Sequence, residues 1–173
     1  MQLLNTDIKN KVLDSMMQII ESRKDEILEA NKKDLKAFNR DDQALYDRLV
    51  VNDAKISGMI QAIKEVRDQE DPVSQEISNT TLESGLKIIN KTAPFGTIMI
   101  IYESRPDVTI EAAVLAFKAN NKILLKGGKE AYHSNVVLVD CWKQALREND
   151  LDESWITMLQ MNREETQAFL KNP

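Results

Sequence analysis

Two short apolar runs constrain this chain most: Thr97-Ile98-Met99-Ile100-Ile101-Tyr102 and Lys122-Ile123-Leu124-Leu125. Each is strand-length and nearly unbroken in its apolar character, as expected of strands covered on both faces. The stretch between them, 106 to about 119, carries helical spacing. A buried strand, a helix and a second buried strand predict a parallel βαβ unit, so the fold class is α/β. The junctions agree. Pro106 suits a first helical turn, and Asp107 and Glu111 place negative charge near that helix's positive end. Asn120-Asn121 closes the helix, because asparagine tolerates the left-handed conformation. Gly127-Gly128 predicts a sharp turn out of the second strand, followed by a long helix from about 131 to 147.

The chain changes character at Asp71-Pro72. Before it there is no proline and only one glycine, Gly58. Ile8, Val12, Met16, Ile19 and Ile20 mark a first helix. Ser22 with Asp25 reads as a variant capping box for a second, carrying Ile27, Leu28 and Leu35. Asp53 is expected to cap a third, with Ile56, Met59, Ile60, Ile63 and Val66 on its apolar face. Arg23-Lys24-Asp25-Glu26 reads as a solvated helix face. Beyond Pro72, residues 76–80 and 86–92 predict two strands joined by a turn at Glu83-Ser84-Gly85. The expected organisation is a helical lead-in over 1–71, a strand pair over 72–93, and the first part of an α/β unit over 94–173.

Composition removes several function classes. With 42% apolar residues the chain can bury a core, and its net charge of −5 is spread without a basic stripe, which disfavours nucleic acid. No apolar run approaches membrane-spanning length, and 1–11 shows no signal-peptide pattern, so a cytoplasmic location without membrane contact is expected. The single cysteine, Cys141, suits a reducing compartment; it sits mid-helix beside Trp142 and reads as structural. His133, the only histidine, has no ligand partners at metal spacing. Gly127-Gly128-Lys129-Glu130 is not a Walker loop, which would need glycine at 123 and Ser or Thr at 130. Backbone amides at the start of the following helix remain candidates for holding an anion.

The run from Ser84-Gly85-Leu86 through Ala93-Pro94-Phe95-Gly96 and Tyr102-Glu103-Ser104-Arg105-Pro106-Asp107 resembles the gamma-glutamyl phosphate reductase family. So do Lys118-Ala119-Asn120-Asn121, Leu125-Lys126-Gly127-Gly128-Lys129-Glu130-Ala131 and Ser134-Asn135. Weaker likeness extends to Ala30-Asn31, Asp34, Asp47-Arg48-Leu49 and Asn162-Arg163-Glu164, so the resemblance spans nearly the whole chain. It implies an aldehyde-dehydrogenase-like fold, here amino-terminal helices, the strand pair of an oligomerisation element, and part of a parallel Rossmann-like sheet binding NADP(H). The implied reaction reduces L-glutamyl 5-phosphate to L-glutamate 5-semialdehyde in proline biosynthesis. A thiolate displaces phosphate and the nicotinamide delivers hydride.

By the same resemblance, Ile101, Tyr102, Ser104, Lys126, Gly127 and Gly128 are candidate cofactor-binding residues and Arg105 a candidate substrate-binding residue. Lys126 stands where the family more often has arginine and keeps the charge. Ser104 replaces the superfamily's oxyanion-stabilising asparagine without its amide donor, and Asp107 stands where asparagine is common. The reactive cysteine is expected beyond residue 173, leaving no catalytic residue in this chain. Implied partners are a second copy of the chain and glutamate 5-kinase. Rival readings are a non-catalytic nucleotide-binding module, a subunit-assembly module, and an aldehyde dehydrogenase acting on another acyl group.

Overall fold

The computed structural model describes residues 3–39 and 42–171. The chain opens with α1 (Thr6–Ser22), α2 (Lys24–Ala37), α3 (Gln43–Leu49) and α4 (Asp53–Asp68). An antiparallel pair follows, β1 (Glu76–Thr81) and β2 (Lys87–Lys91). The remainder alternates: β3 (Thr97–Ile101), α5 (Pro106–Lys118), β4 (Lys122–Lys126), α6 (Tyr132–Glu148), β5 (Ile156–Met158) and α7 (Arg163–Lys171). β3, β4 and β5 form a parallel sheet in that order, so the predicted βαβ unit is present and extended by a third strand. Among the described residues no helix is long and apolar enough to cross a membrane.

The expected caps on the early helices do not form. Ser22 donates its hydroxyl to the Ile19 carbonyl at 3.0 Å and leaves the start of α2 alone. The reason lies in the backbone: Arg23 keeps a nearly helical ψ of 15°, so α1 runs into α2 without the extended residue that an N-cap requires. The cap of α4 is Asn52, whose side chain accepts the Lys55 N–H at 2.9 Å, and Asp53 lies inside the first turn. α3, β5 and α7 were not anticipated from periodicity.

Further along, Gly85, with φ +84°, closes the hairpin turn, and every residue of β1 and β2 is exposed. Asn120 adopts φ +57° and ends α5 as expected. The asparagine pair also serves its neighbours: Asn120 Oδ1 accepts the Leu4 N–H at 2.8 Å, and Asn121 Oδ1 accepts the Gly96 N–H at 2.9 Å. Gly127 and Gly128 do not occupy the left-handed region, since the positive-φ glycines are Gly85 and Gly96. What calls for glycine at these two positions is close approach, described below.

The helical stripes find their cover on the α/β unit. Val12, Leu13, Met16, Ile20, Ile27, Ile56 and Ile63 share one buried cluster with Ile110, Phe117, Leu138, Trp142, Ile123 and Leu125. Phe117 is packed between Trp142 and Trp155, with ring centroids 5.7 Å and 5.5 Å away. Cys141 lies fully buried in the same cluster.

Several polar groups in and around this core are paired across long sequence separations. Asp34, on α2, accepts the His133 N–H at 2.9 Å and the Ser134 N–H at 2.8 Å, capping α6 from another helix. Asn31, one turn earlier, donates to the Leu49 carbonyl and to Ser134 Oγ, and accepts from the Val51 N–H. Arg23 does not face solvent as predicted: it pairs with Glu26 and reaches Asp140 on α6 at 2.8 Å. Lys9 is fully buried and donates to both Asp71 oxygens at 2.9 Å. Asp71 also accepts from the Thr6 hydroxyl and the Val73 N–H, tying the root of the hairpin to α1.

Removing one partner of such a pair strands the other. Lys9→Met is expected to cost about 2 kcal/mol in urea unfolding, and Lys9→Met with Asp71→Asn to recover most of it. The pH dependence has a definite sign. Burial pushes the Asp71 carboxyl up, but Lys9, the Val73 amide and the Thr6 hydroxyl outweigh it and hold it below its ordinary value. A depressed carboxylate contributes stability above its unfolded pKa and loses it as pH falls through the folded value. Wild-type stability should therefore drop below about pH 4 more steeply than that of Asp71→Asn.

Candidate functional site

Parallel pairing places Ile101 opposite Lys126 at the carboxyl end of the sheet. The Tyr102 N–H donates to the Lys126 carbonyl at 3.1 Å, so the loops after β3 and β4 leave side by side. Ligands of open parallel sheets bind outside this edge. Here it opens into a cavity of about 590 Å³ between the strand ends and α7. Ile101, Met161 and Leu170 supply apolar wall, and Lys126, Lys129 and Arg163 supply positive charge. Lys126 Nζ donates to the Gly127 carbonyl at 2.9 Å, which tethers the ammonium at the strand end.

Of the residues singled out in the sequence, Ile101 and Lys126 line this cavity, Tyr102, Ser104, Gly127 and Gly128 lie in the seam beside it, and Arg105 lies in neither. Tyr102 turns inward, its hydroxyl 2.6 Å from Thr109 Oγ1, and burial pushes its pKa up. Ser104 is only 3% exposed, and its hydroxyl donates to Glu130 at 3.3 Å, joining one loop to the other. A Cβ added to Gly127 would stand 2.5 Å from Asn135 Nδ2 and 3.1 Å from the Tyr102 ring. One added to Gly128 would stand 2.8 Å from Glu130 Oε2 and 3.3 Å from the Glu103 carbonyl carbon. The two glycines thus let the loops approach each other. Arg105 precedes α5, half exposed, with its guanidinium 3.1 Å from Asp107, whose carboxylate raises its pKa.

The expected backbone anion site at the start of α6 is already filled. The buried Asp34 carboxylate takes the His133 and Ser134 amides, and a second anion there would meet its charge. α7 is closed in the same manner: Asn162 Oδ1 accepts the Glu165 N–H at 2.9 Å, and Glu165 accepts the Asn162 N–H at 2.7 Å. Positive charge at this edge therefore comes from side chains. Sequence reasoning missed Lys129, Arg163, Met161 and Leu170 as wall residues. The Asn162…Glu165 capping box was the available signal for α7.

Two further candidates fall away from the cavity. Burial pushes the Cys141 thiol up to about 12, so it carries negligible thiolate at neutral pH. His133 stacks edge-on against Tyr132. Among the described residues no group of three or more His, Cys, Asp or Glu side chains could hold a metal ion.

No protein-family model matches the chain. Among curated proteins, it is 45% identical over 152 residues to gamma-glutamyl phosphate reductase from Persephonella marina, covering 87% of this chain and 34% of that protein. The crystal structure of gamma-glutamyl phosphate reductase from Thermotoga maritima superimposes with a TM-score of 0.89 at 40% identity, over 93% of this chain and 40% of the other. A propionaldehyde dehydrogenase from Clostridium phytofermentans shares the fold, with a TM-score of 0.66 at 8% identity over 98% of this chain and 36% of the other. The chain spans about a third of the length of the curated relatives it matches. Sequence and fold together match this chain to the amino-terminal portion of gamma-glutamyl phosphate reductases.

Proposed function

We propose that this chain supplies the nucleotide-binding edge of an NADPH-dependent reductase that converts L-glutamyl 5-phosphate to L-glutamate 5-semialdehyde. The observation that carries the reading is the cavity at the carboxyl end of the parallel sheet, walled by apolar side chains and three cations. The names of its relatives supply the substrate. An apolar wall suits an adenine ring, and Lys126, Lys129 and Arg163 together offer countercharge for a dinucleotide bearing an extra 2′-phosphate. That charge excess supports NADPH over NADH. When bound, the nicotinamide supplies hydride.

This chain's own residues bind and orient. Ile101 and Lys126 contact the cofactor, while Tyr102, Ser104, Gly127 and Gly128 hold the two loops at the spacing that contact requires. Arg105 ends the loop after β3 and precedes α5, with its fork half in solvent, and takes a phosphate or carboxylate of the substrate. The reacting thiol is not Cys141, which is buried and protonated, so the nucleophile comes from sequence outside these 173 residues. The exposed hairpin, with Ile77, Ile88 and Ile89 open to solvent, is the surface on which a second copy docks to give a homodimer. The whole enzyme acts in the cytoplasm, where a thiol stays reduced. Glutamate 5-kinase, which makes the acyl phosphate, is the partner that such a labile substrate calls for.

Fluorescence titration tests the cofactor assignment. Lys126→Ala and Arg163→Ala should each weaken NADPH binding by about tenfold and NADH binding less. Equal and unaltered affinities for both nucleotides would sink it. The isolated chain should bind NADPH without oxidising it when glutamyl phosphate is added; turnover would refute the external nucleophile. In an enzyme carrying the remaining sequence, Arg105→Ala should raise the KM for glutamyl phosphate about tenfold and leave the KM for NADPH within about twofold.

A further inference from the structure

The seam between the two loops contains a buried polar relay whose members do not line the cavity. Tyr102 follows β3, Thr109 lies on α5 and Asn135 on α6. Thr109 and Asn135 are both fully buried. Thr109 donates its hydroxyl to Asn135 Oδ1 at 2.7 Å, and Tyr102 Oη lies 2.6 Å from Thr109 Oγ1. Thr109 has one proton and gives it to Asn135, so Tyr102 is the donor to Thr109. The direction runs from Tyr102 to Thr109 to Asn135.

Asn135 ends this relay with an unused group. Its Nδ2 is buried and has no hydrogen-bond partner among the described residues, a state that costs stability. A leucine of similar volume would carry no such cost. The amide faces Gly127, where any Cβ would lie 2.5 Å from it, a separation that real Cβ atoms do not show. Gly127 needs no left-handed backbone. Its lack of a side chain is therefore explained by Asn135 and the Tyr102 ring.

We infer that Asn135 is a positioning residue: through Thr109 and Tyr102 it fixes the loop after β3, and by direct packing on Gly127 it fixes the loop after β4, so both halves of the cavity mouth keep one register. The inference rests on the cofactor reading for its purpose, and on geometry alone for its mechanism. Lys126, immediately before Gly127, is the residue whose placement it governs. A displacement of the loop would carry the Lys126 ammonium and its tether on the Gly127 carbonyl away from the cavity.

A double-mutant cycle on the full chain tests this, with NADPH titration and thermal unfolding as separate readouts. Gly127→Ala drives a methyl into Asn135 and should weaken NADPH binding by tenfold or more, on the order of what small misplacements cost. Asn135→Ala alone should weaken NADPH binding about threefold by releasing both loops, and the double variant, with the obstructing amide gone, should bind as Asn135→Ala does, since residues in contact couple. A merely structural role for Asn135 predicts coupling in the thermal midpoints while Asn135→Ala alone binds NADPH as wild type does, and that outcome would overturn the inference. Additive losses, or a Gly127→Ala chain that binds as wild type does, would overturn the inference. If Gly127→Ala yields no folded protein, recovery of folded protein in the double variant supports the inference and its failure refutes it. A wild-type chain that does not bind NADPH overturns the cofactor reading, while the midpoints of the thermal cycle still decide the coupling: relief supports it and additivity ends it.

Discussion

The in-register parallel pairing of β3 with β4 is the constraint on which the rest of the molecule depends. Because the strands run the same way, the chain must cross back over the sheet face, and α5 is that crossover. The same geometry brings the ends of both strands to one edge, with Ile101 beside Lys126. β5 then adds to the far side of β4 and delivers α7 to the same edge, which completes the cavity wall. Ile101, Lys126 and α7 are far apart in sequence. Strand direction brings the first two together, and the fold-back of α7 adds the third.

What holds the helical lead-in to this unit is partly apolar and partly ionic. The apolar contribution is a single cluster running from α1 and α4 through α5 and α6 to the sheet. The ionic contribution sits at its margins, where Asp34 caps α6 and Lys9 clasps Asp71. Hydrogen bonds to charged acceptors contribute roughly 1.5–3 kcal/mol each, comparable with burying one aliphatic side chain, but they are directional where apolar contact is not. Asp34 and Asn31 thereby fix how α2 turns against the start of α6, and with it the position of the loop that α6 follows. The clasp at Asp71 does the same for the exposed hairpin, which has no buried residue of its own to orient it.

The βαβ unit was legible because its signals are local and strong: two apolar runs, Pro106 at a helix start, and the asparagine pair at its end. The hairpin was legible from its β-rich runs and Gly85. α3 and β5 were not, since seven and three residues are too few for a period to emerge. Ser22 failed as a cap because its backbone stays helical, which its identity does not reveal. At the site, Ile101 and Lys126 could be placed from strand direction. Lys129 and Arg163 could not, because their convergence depends on how α7 folds back. The close approach at Gly127 was not legible for a related reason: a glycine looks the same in sequence whether it supplies a turn or makes room for Asn135.

Both helix starts beside the cavity are closed, α6 by a carboxylate and α7 by its own capping box. Fixed backbone dipoles are thus unavailable, and an anion arriving there meets only the tips of lysine and arginine side chains. Lys126 is held by its tether to Gly127, but the exposed tips of Lys129 and Arg163 sweep a wide arc and carry well-hydrated charge. Recognition built from them tolerates variation in ligand shape and weakens as ionic strength rises, since mobile counterions screen exposed charges beyond about 8 Å in physiological saline. An anion held at this edge would sit in an adjustable electrostatic clamp, in contrast to the rigid amide cup of phosphate-binding loops.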